Sequence, residues 1–160
     1  MAEGRVLAAQ EQGAYVVRMV GDVRLTLCAS IEEYLENMLR DPVFCSVWVD
    51  LCDVEGLDST TLGQLAKLAL AVHKRFGFRP ALYCCDAGIN RLLASMGLDR
   101  LFEMHEKSCC ATGNSQTIPM VLGSEDAVRE RVLEAHRVLM NVSEVNRTRF
   151  SELVTNLERR

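Results

Sequence analysis

The sequence lacks three features that would place the protein in a membrane, on a nucleic acid or outside the cell. Its apolar stretches are short and interrupted by charged residues, which argues against a transmembrane helix. It has no basic excess, since 18 Lys and Arg face 22 Asp and Glu for a net charge of -4, whereas nucleic-acid-binding proteins need a basic face. Residues 1–10 contain Glu3 and Arg5 and have no signal-peptide core. We therefore expect a cytoplasmic protein that binds neither nucleic acid nor membrane.

Paired cysteine motifs are missing as well. The seven cysteines are odd in number, and no two have Cys-x-x-Cys spacing. We expect them to be unpaired, small buried hydrophobic residues in a reducing compartment. Cys84 and Cys85 are adjacent in a strand-like segment, so their side chains should point to opposite faces. Cys109 and Cys110 lie in a polar loop, where they are more open to reaction.

Catalytic and metal-binding patterns are also absent. No glycine-rich phosphate loop, Ser-His-Asp arrangement or paired His and Cys set occurs. His73, His105 and His136 are far apart, and none has a Cys, Asp or Glu at metal-ligand spacing. We therefore expect structural histidines, no metal, no cofactor and a protein that is not an enzyme.

Strands and amphipathic helices alternate along residues 5–105. The predicted order is a strand at 5–9, a turn at 12–13, a strand at 14–20 ended by Gly21 and Asp22, a helix at 29–39, a strand at 45–51 followed by a polar turn, a helix ended by Gly77, a strand at 81–85, a short helix capped by Asp86, and a strand at 101–105. This order favours an α/β fold. We predict a mixed sheet of about four to five strands, with parallel central strands and helices mainly on one face.

The C-terminal third has a different character. Residues 1–106 form the predicted domain, residues 107–123 a loop or linker with room for a short edge strand at 118–122, and residues 124–160 a helical extension. Ser124 and two acidic residues start a helix, and the apolar stripe shifts phase near residues 141–143, which suggests one or two helices. The stripe fits equally well a self-contact on the domain and a partner-binding or homodimer helix.

The most informative segment is residues 49–63. A buried strand leads into Asp58 and Ser59, which stand where a helical pattern begins. A hydroxyl beside a carboxylate at a helix N-terminus suits a site at which charge is switched on and off. On local chemistry alone, an ordinary N-cap is the more common use of Ser or Asp at such a position.

This segment resembles the signature of the anti-sigma factor antagonist family, the STAS domain. The resemblance rests on the hexapeptide Asp58-Ser59-Thr60-Thr61-Leu62-Gly63, supported by Gly21-Asp22 and by residues 78–82 and 89–98. It covers residues 12–106. It implies a STAS-like sheet and a protein that regulates transcription by binding partners.

The resemblance also implies a phosphorylation switch. Ser59 would accept a phosphoryl group from a Ser/Thr kinase that is usually the anti-sigma factor itself, and a PP2C-type phosphatase would remove it. The unphosphorylated form would bind the anti-sigma factor, and phosphorylation would release it. The residues implied around the phosphosite and partner interface are Asp22, Arg24, Asp58, Thr60, Thr61, Leu62, Gly63 and Met96.

Two departures from the family pattern bear on partner choice. Arg24 stands where an acidic residue is common, and Thr61 stands where Gly is usual. Arg24 could pair with a phosphate. The long C-terminal segment supports an alternative, a STAS scaffold or adaptor that links a phosphorelay to motility or biofilm output through other partners.

Overall fold

A tight turn at Gln12 and Gly13 joins the first two strands of the sheet. Both residues have positive φ, 52° and 86°, as a two-residue hairpin turn requires. The turn joins β1 (Arg5–Glu11) to β2 (Ala14–Val23) in an antiparallel pair. The computed structural model describes residues 2–109 and 114–159.

The remaining strands extend this hairpin on both sides. β3 (Ser46–Leu57), β4 (Ala81–Tyr83) and β5 (Glu103–His105) follow β2 in parallel, and β6 (Gln116–Thr117) pairs antiparallel with β1. The sheet order is β5-β4-β3-β2-β1-β6. The predicted mixed sheet with a parallel centre is therefore confirmed. The edge strand lies at residues 116–117 rather than 118–122, and it is a sixth strand.

Three helices connect the parallel strands: α1 (Cys28–Arg40), α2 (Ser59–Phe76) and α3 (Ala87–Ser95). Their crossovers step the same way across the sheet, so right-handed connections put them on one face. Alternate residues of β3 (Val47, Val49 and Leu51) are buried beneath that face. Gly77 ends α2 in the left-handed region, and the Asp86 carboxylate accepts a hydrogen bond from Ile89 N at the start of α3, as predicted.

Two strands run further than predicted, and these predictions were wrong. β2 continues through Gly21 and Asp22, because the N-terminal segment pairs beside it and Asp22 N donates to Ala2 O at 3.0 Å. β3 continues past Leu51 to Leu57. After Leu51 the buried residues are Val54 and Leu57, at every third position, because the pairing with β2 has two bulges there, each with one extra residue in β3. The sequence of this part of β3 therefore lacks the two-residue alternation of a regular strand.

The C-terminal segment forms α4 (Glu125–Val142) and α5 (Glu144–Glu158). The break falls at Ser143, whose hydroxyl caps α5 by accepting from Asn146 N at 3.1 Å. α4 packs on α2, and α5 folds back onto α4. Leu139 and Phe150 join the hydrophobic core of the domain. Of the two interpretations of the apolar stripe, the structure shows the self-contact.

The cysteine prediction was wrong at two positions. Cys52 and Cys85 form a disulfide between β3 and the segment after β4. Spacing could not reveal it, because the two residues are 33 positions apart and are brought together by the pairing of β3 with β4. Cys84 is buried and Cys85 is exposed, which confirms their opposite orientation. Cys109 is free and buried, and Cys110 lies outside the described residues.

Candidate functional site

The carboxylate of Asp58 caps α2. Its Oδ1 accepts hydrogen bonds from Thr61 N at 2.9 Å and from Thr61 Oγ1 at 2.8 Å. Its Oδ2 accepts from Leu25 N at 2.7 Å, which ties the loop after β2 to the start of α2. Asp58 thus satisfies two backbone N–H groups and makes Ser59 the first residue of the helix.

The hydroxyl of Ser59 is bound to a histidine from the C-terminal extension. Ser59 Oγ lies 2.7 Å from Nε2 of His136, a side chain that is only 2% exposed. Nδ1 of the same ring lies 2.6 Å from the carbonyl oxygen of Val132. A carbonyl can only accept, so Nδ1 carries the proton. In the neutral ring, Nε2 is therefore an acceptor, and Ser59 donates to it.

His136 is one of the three histidines expected to be structural, and the sequence did not predict its contact with Ser59. It is 77 residues from Ser59 in sequence, and only the packing of α4 on α2 brings the two together. The spacing of His136 along α4 could have indicated that its side chain faces inward. His136 follows Val132 by four positions and precedes Leu139 by three, so it lies on the apolar stripe of α4 and faces inward.

The backbones of α2 and α4 touch one turn further along. A Cβ at Gly63 would lie 2.4 Å from Ala135 O and 2.7 Å from Ala135 Cβ. Only glycine permits this approach. Lys67, another turn on, forms an ion pair with Glu134 at 2.8 Å. Residues four apart share a helix face, so α4 covers one continuous stripe of α2 that begins at the phosphoacceptor candidate.

A second contact joins the extension to the end of α3. Asn146 Nδ2 donates to Met96 O at 2.8 Å and to Leu139 O at 2.9 Å. Gly97 has a φ of 82°, and a Cβ there would lie 2.7 Å from Val142 Cγ1. Met96 is consequently buried beneath the extension.

The other residues implied by the family resemblance fall into two groups. Thr60, Thr61 and Leu62 are buried inside the domain, so they do not reach the surface in this arrangement. Asp22 and Arg24 form an ion pair at 2.8 Å beside the loop held by Asp58. The hydrogen bond that Arg24 donates to Asp22 raises the pKa of Arg24, and the charges of Asp22 and Asp58 raise it further.

The described residues hold no group of three or more His, Cys, Asp or Glu side chains that could bind a metal ion. None of the helices in that part of the chain is both long and apolar enough to cross a bilayer.

The model of the STAS domain family matches residues 5–109. The chain belongs to the STAS domain family. A comparison with curated proteins returns no match. The STAS domain contains Asp58, Ser59, Gly63 and Met96, whereas His136 lies outside it. The acceptor candidate therefore belongs to the STAS domain, and the group that binds its hydroxyl comes from an appended helix.

Proposed function

We propose that this protein is a cytoplasmic anti-sigma factor antagonist that regulates transcription through phosphorylation-controlled binding. In this proposal it has no catalytic activity. Its unphosphorylated form binds an anti-sigma factor, and phosphorylation at Ser59 releases that partner. The observation that carries the proposal is the placement of the Ser59 hydroxyl at the first residue of α2 in a STAS domain, directly after the capping Asp58.

The chemistry of this position supports a charge switch. A helix N-terminus presents unpaired N–H groups and a partial positive charge, which favour a phosphate by about 0.3–1 kcal/mol at an exposed site. The phosphate adds about -1.5 to -2 charges. Asp58 and the ion pair of Asp22 with Arg24 together leave a net negative charge at this corner. A partner surface that matches the neutral hydroxyl would therefore meet both bulk and repulsion after phosphorylation.

The proposed partners follow from this role. One is an anti-sigma factor, which would itself be the Ser/Thr kinase or work with one, and another is a PP2C-type phosphatase that restores the hydroxyl. With a net charge of -4, a direct role in nucleic-acid binding is disfavoured.

The first experiment is intact-mass and site-mapping spectrometry on protein from its native cells. We expect one phosphate on Ser59 that disappears in Ser59→Ala. Ser95→Ala, an exposed serine at the end of α3, is the matched control and should leave the phosphate in place. Absence of phosphate under every growth condition would count against the switch.

Partner capture provides the second test. Ser59→Ala should retain a co-purifying anti-sigma factor, and Ser59→Asp should lose it. Equal recovery with both variants would contradict phosphorylation control.

The alternative function is a STAS scaffold or adaptor that links a phosphorelay to motility or biofilm output. The contact of α4 with Ser59 favours it, because a half-buried hydroxyl bound to His136 is a poor kinase substrate. A homodimer through the C-terminal helices fits this alternative, since Val145 and Leu153 on α5 are 60% and 40% exposed. Light scattering on the full chain would measure the dimer directly.

A further inference from the structure

We propose that α4 and α5 are an internal ligand of the STAS domain. They occupy a surface that binds a helix in the protein's partner, and the partner must displace them. The identity of this surface as the partner site rests on the proposed function. The partner helix would present a small residue to Gly63 and a hydrogen-bonding side chain to Ser59, as α4 does with Ala135 and His136.

The shape of the covered surface specifies a helix. Ser59, Gly63 and Lys67 lie on one face of α2 and meet His136, Ala135 and Glu134 of α4 in turn. Gly63 permits contact between the backbones of the two helices, which a larger side chain at this position would prevent. The geometry is that of a helix lying against a helix at close range.

The extension covers two separated parts of the implied partner interface at once. α4 covers Ser59 and Gly63, and the turn into α5 covers Met96 through Asn146. These parts come from different segments of the STAS domain, which meet only in the folded structure. A partner that binds both cannot do so while the extension is in place.

Phosphorylation of Ser59 and the packing of α4 over Ser59 oppose each other. Phosphoserine has no hydroxyl proton to donate to His136, and the phosphate needs space where Oγ and Nε2 are 2.7 Å apart. The extension thus protects Ser59 from modification while closed. The two equilibria are linked: phosphate on Ser59 weakens the packing of the extension on the STAS domain by the same free energy by which that packing disfavours the phosphate.

The test uses the chain itself and a defined probe. The probe is a fluorescent synthetic peptide of residues 124–159, titrated by anisotropy into full-length protein. Ala135→Arg should push α4 off Gly63 while leaving the STAS surface unchanged. Asn141→Arg, which places the same side chain at an exposed position of α4, is the control. We expect the peptide to bind Ala135→Arg at least about tenfold more tightly than either the control or wild type.

Two further arms complete the test. Adding Ser59→Asp to Ala135→Arg should abolish peptide binding. A folded Ala135→Arg protein, judged by circular dichroism, that binds no more tightly than the control would overturn the proposal.

If Ala135→Arg does not fold, hydrogen exchange on wild type decides the matter. The amides of α4 should exchange at least about tenfold faster than those of the β3 centre, because the extension opens without global unfolding. Equal rates would show that the extension opens only with the whole domain. Neither assay depends on a kinase, so failure here is distinct from an absence of phosphate on Ser59.

Discussion

Gly63→Ala reports on the closed extension through the sign of a stability change. In an exposed helix this substitution stabilises a protein, because alanine is favoured over glycine by about 0.8–1.0 kcal/mol. In the closed structure the new methyl group would lie 2.4 Å from Ala135 O and 2.7 Å from Ala135 C. These are backbone atoms, so α4 must shift as a whole.

The two effects can be weighed against each other. Overpacking at a tight contact costs typically about 1–3 kcal/mol. Subtracting the helix gain of about 1 kcal/mol leaves a net loss of up to about 2 kcal/mol. If α4 does not contact Gly63 in solution, the overpacking cost vanishes and the same variant becomes more stable by about 1 kcal/mol.

Urea unfolding followed by circular dichroism and by fluorescence of Trp48, the sole tryptophan, would measure the change. Gly88→Ala near the start of α3 is the matched control, since its new methyl group would meet only side-chain atoms at 3.1 Å or more. It should be neutral or stabilising. A Gly63→Ala protein that is more stable than wild type would refute close packing of α4 on α2.

Three other predictions follow from the structure. Asp58→Ala should lower the free energy of unfolding, measured by urea titration, by about 1–2 kcal/mol through loss of the N-cap. Asp58→Asn should be close to wild type, and equal stability of all three proteins would exclude the cap. The Cys52–Cys85 bond closes a loop across 33 positions, so reduction should cost about 3–4 kcal/mol in wild type and nothing in the double serine variant. Burial, and then the hydrogen bond to Asp41, raise the pKa of Tyr15 to about 12. The protonated phenol therefore contributes stability below its ordinary pKa near 10, and this is lost as pH rises through about 12. Tyr15→Phe should remove this loss of stability at high pH. A phenolate titration in which Tyr15 ionises near 10 would contradict the prediction.

Local patterns predicted most of the STAS domain. Capping residues and turn glycines act through their own backbone, so Asp58, Asp86, Gly77 and the turn at Gln12 could be placed without knowledge of the fold. Strand ends were predicted less well. In β3 the residues after Leu51 have the composition of a turn, and the pairing with β2 that makes them a strand is a long-range property with two register shifts.

The candidate site divides along the same line. Ser59 and Asp58 carry a local signature, so the sequence alone placed them at the start of a helix. His136 and the Cys52–Cys85 pair depend on which elements become neighbours, and a single sequence contains little information on that choice. The apolar stripe of α4 predicted that this helix is packed on one side. Only the structure, with Gly63 against Ala135, shows that it packs on α2.

The position of Gly63 one turn after Ser59 determines how the site can respond to phosphate. A longer side chain between α2 and α4 could change rotamer and make room for a phosphate while the helices stayed in place. At Gly63 the backbones themselves are in contact, and there is no side chain to move. Packed interfaces of this kind switch between discrete arrangements because they deform little. A phosphate on Ser59 would therefore release α4 as a unit instead of loosening it gradually, and the population of the open form, rather than the degree of opening, would set the response.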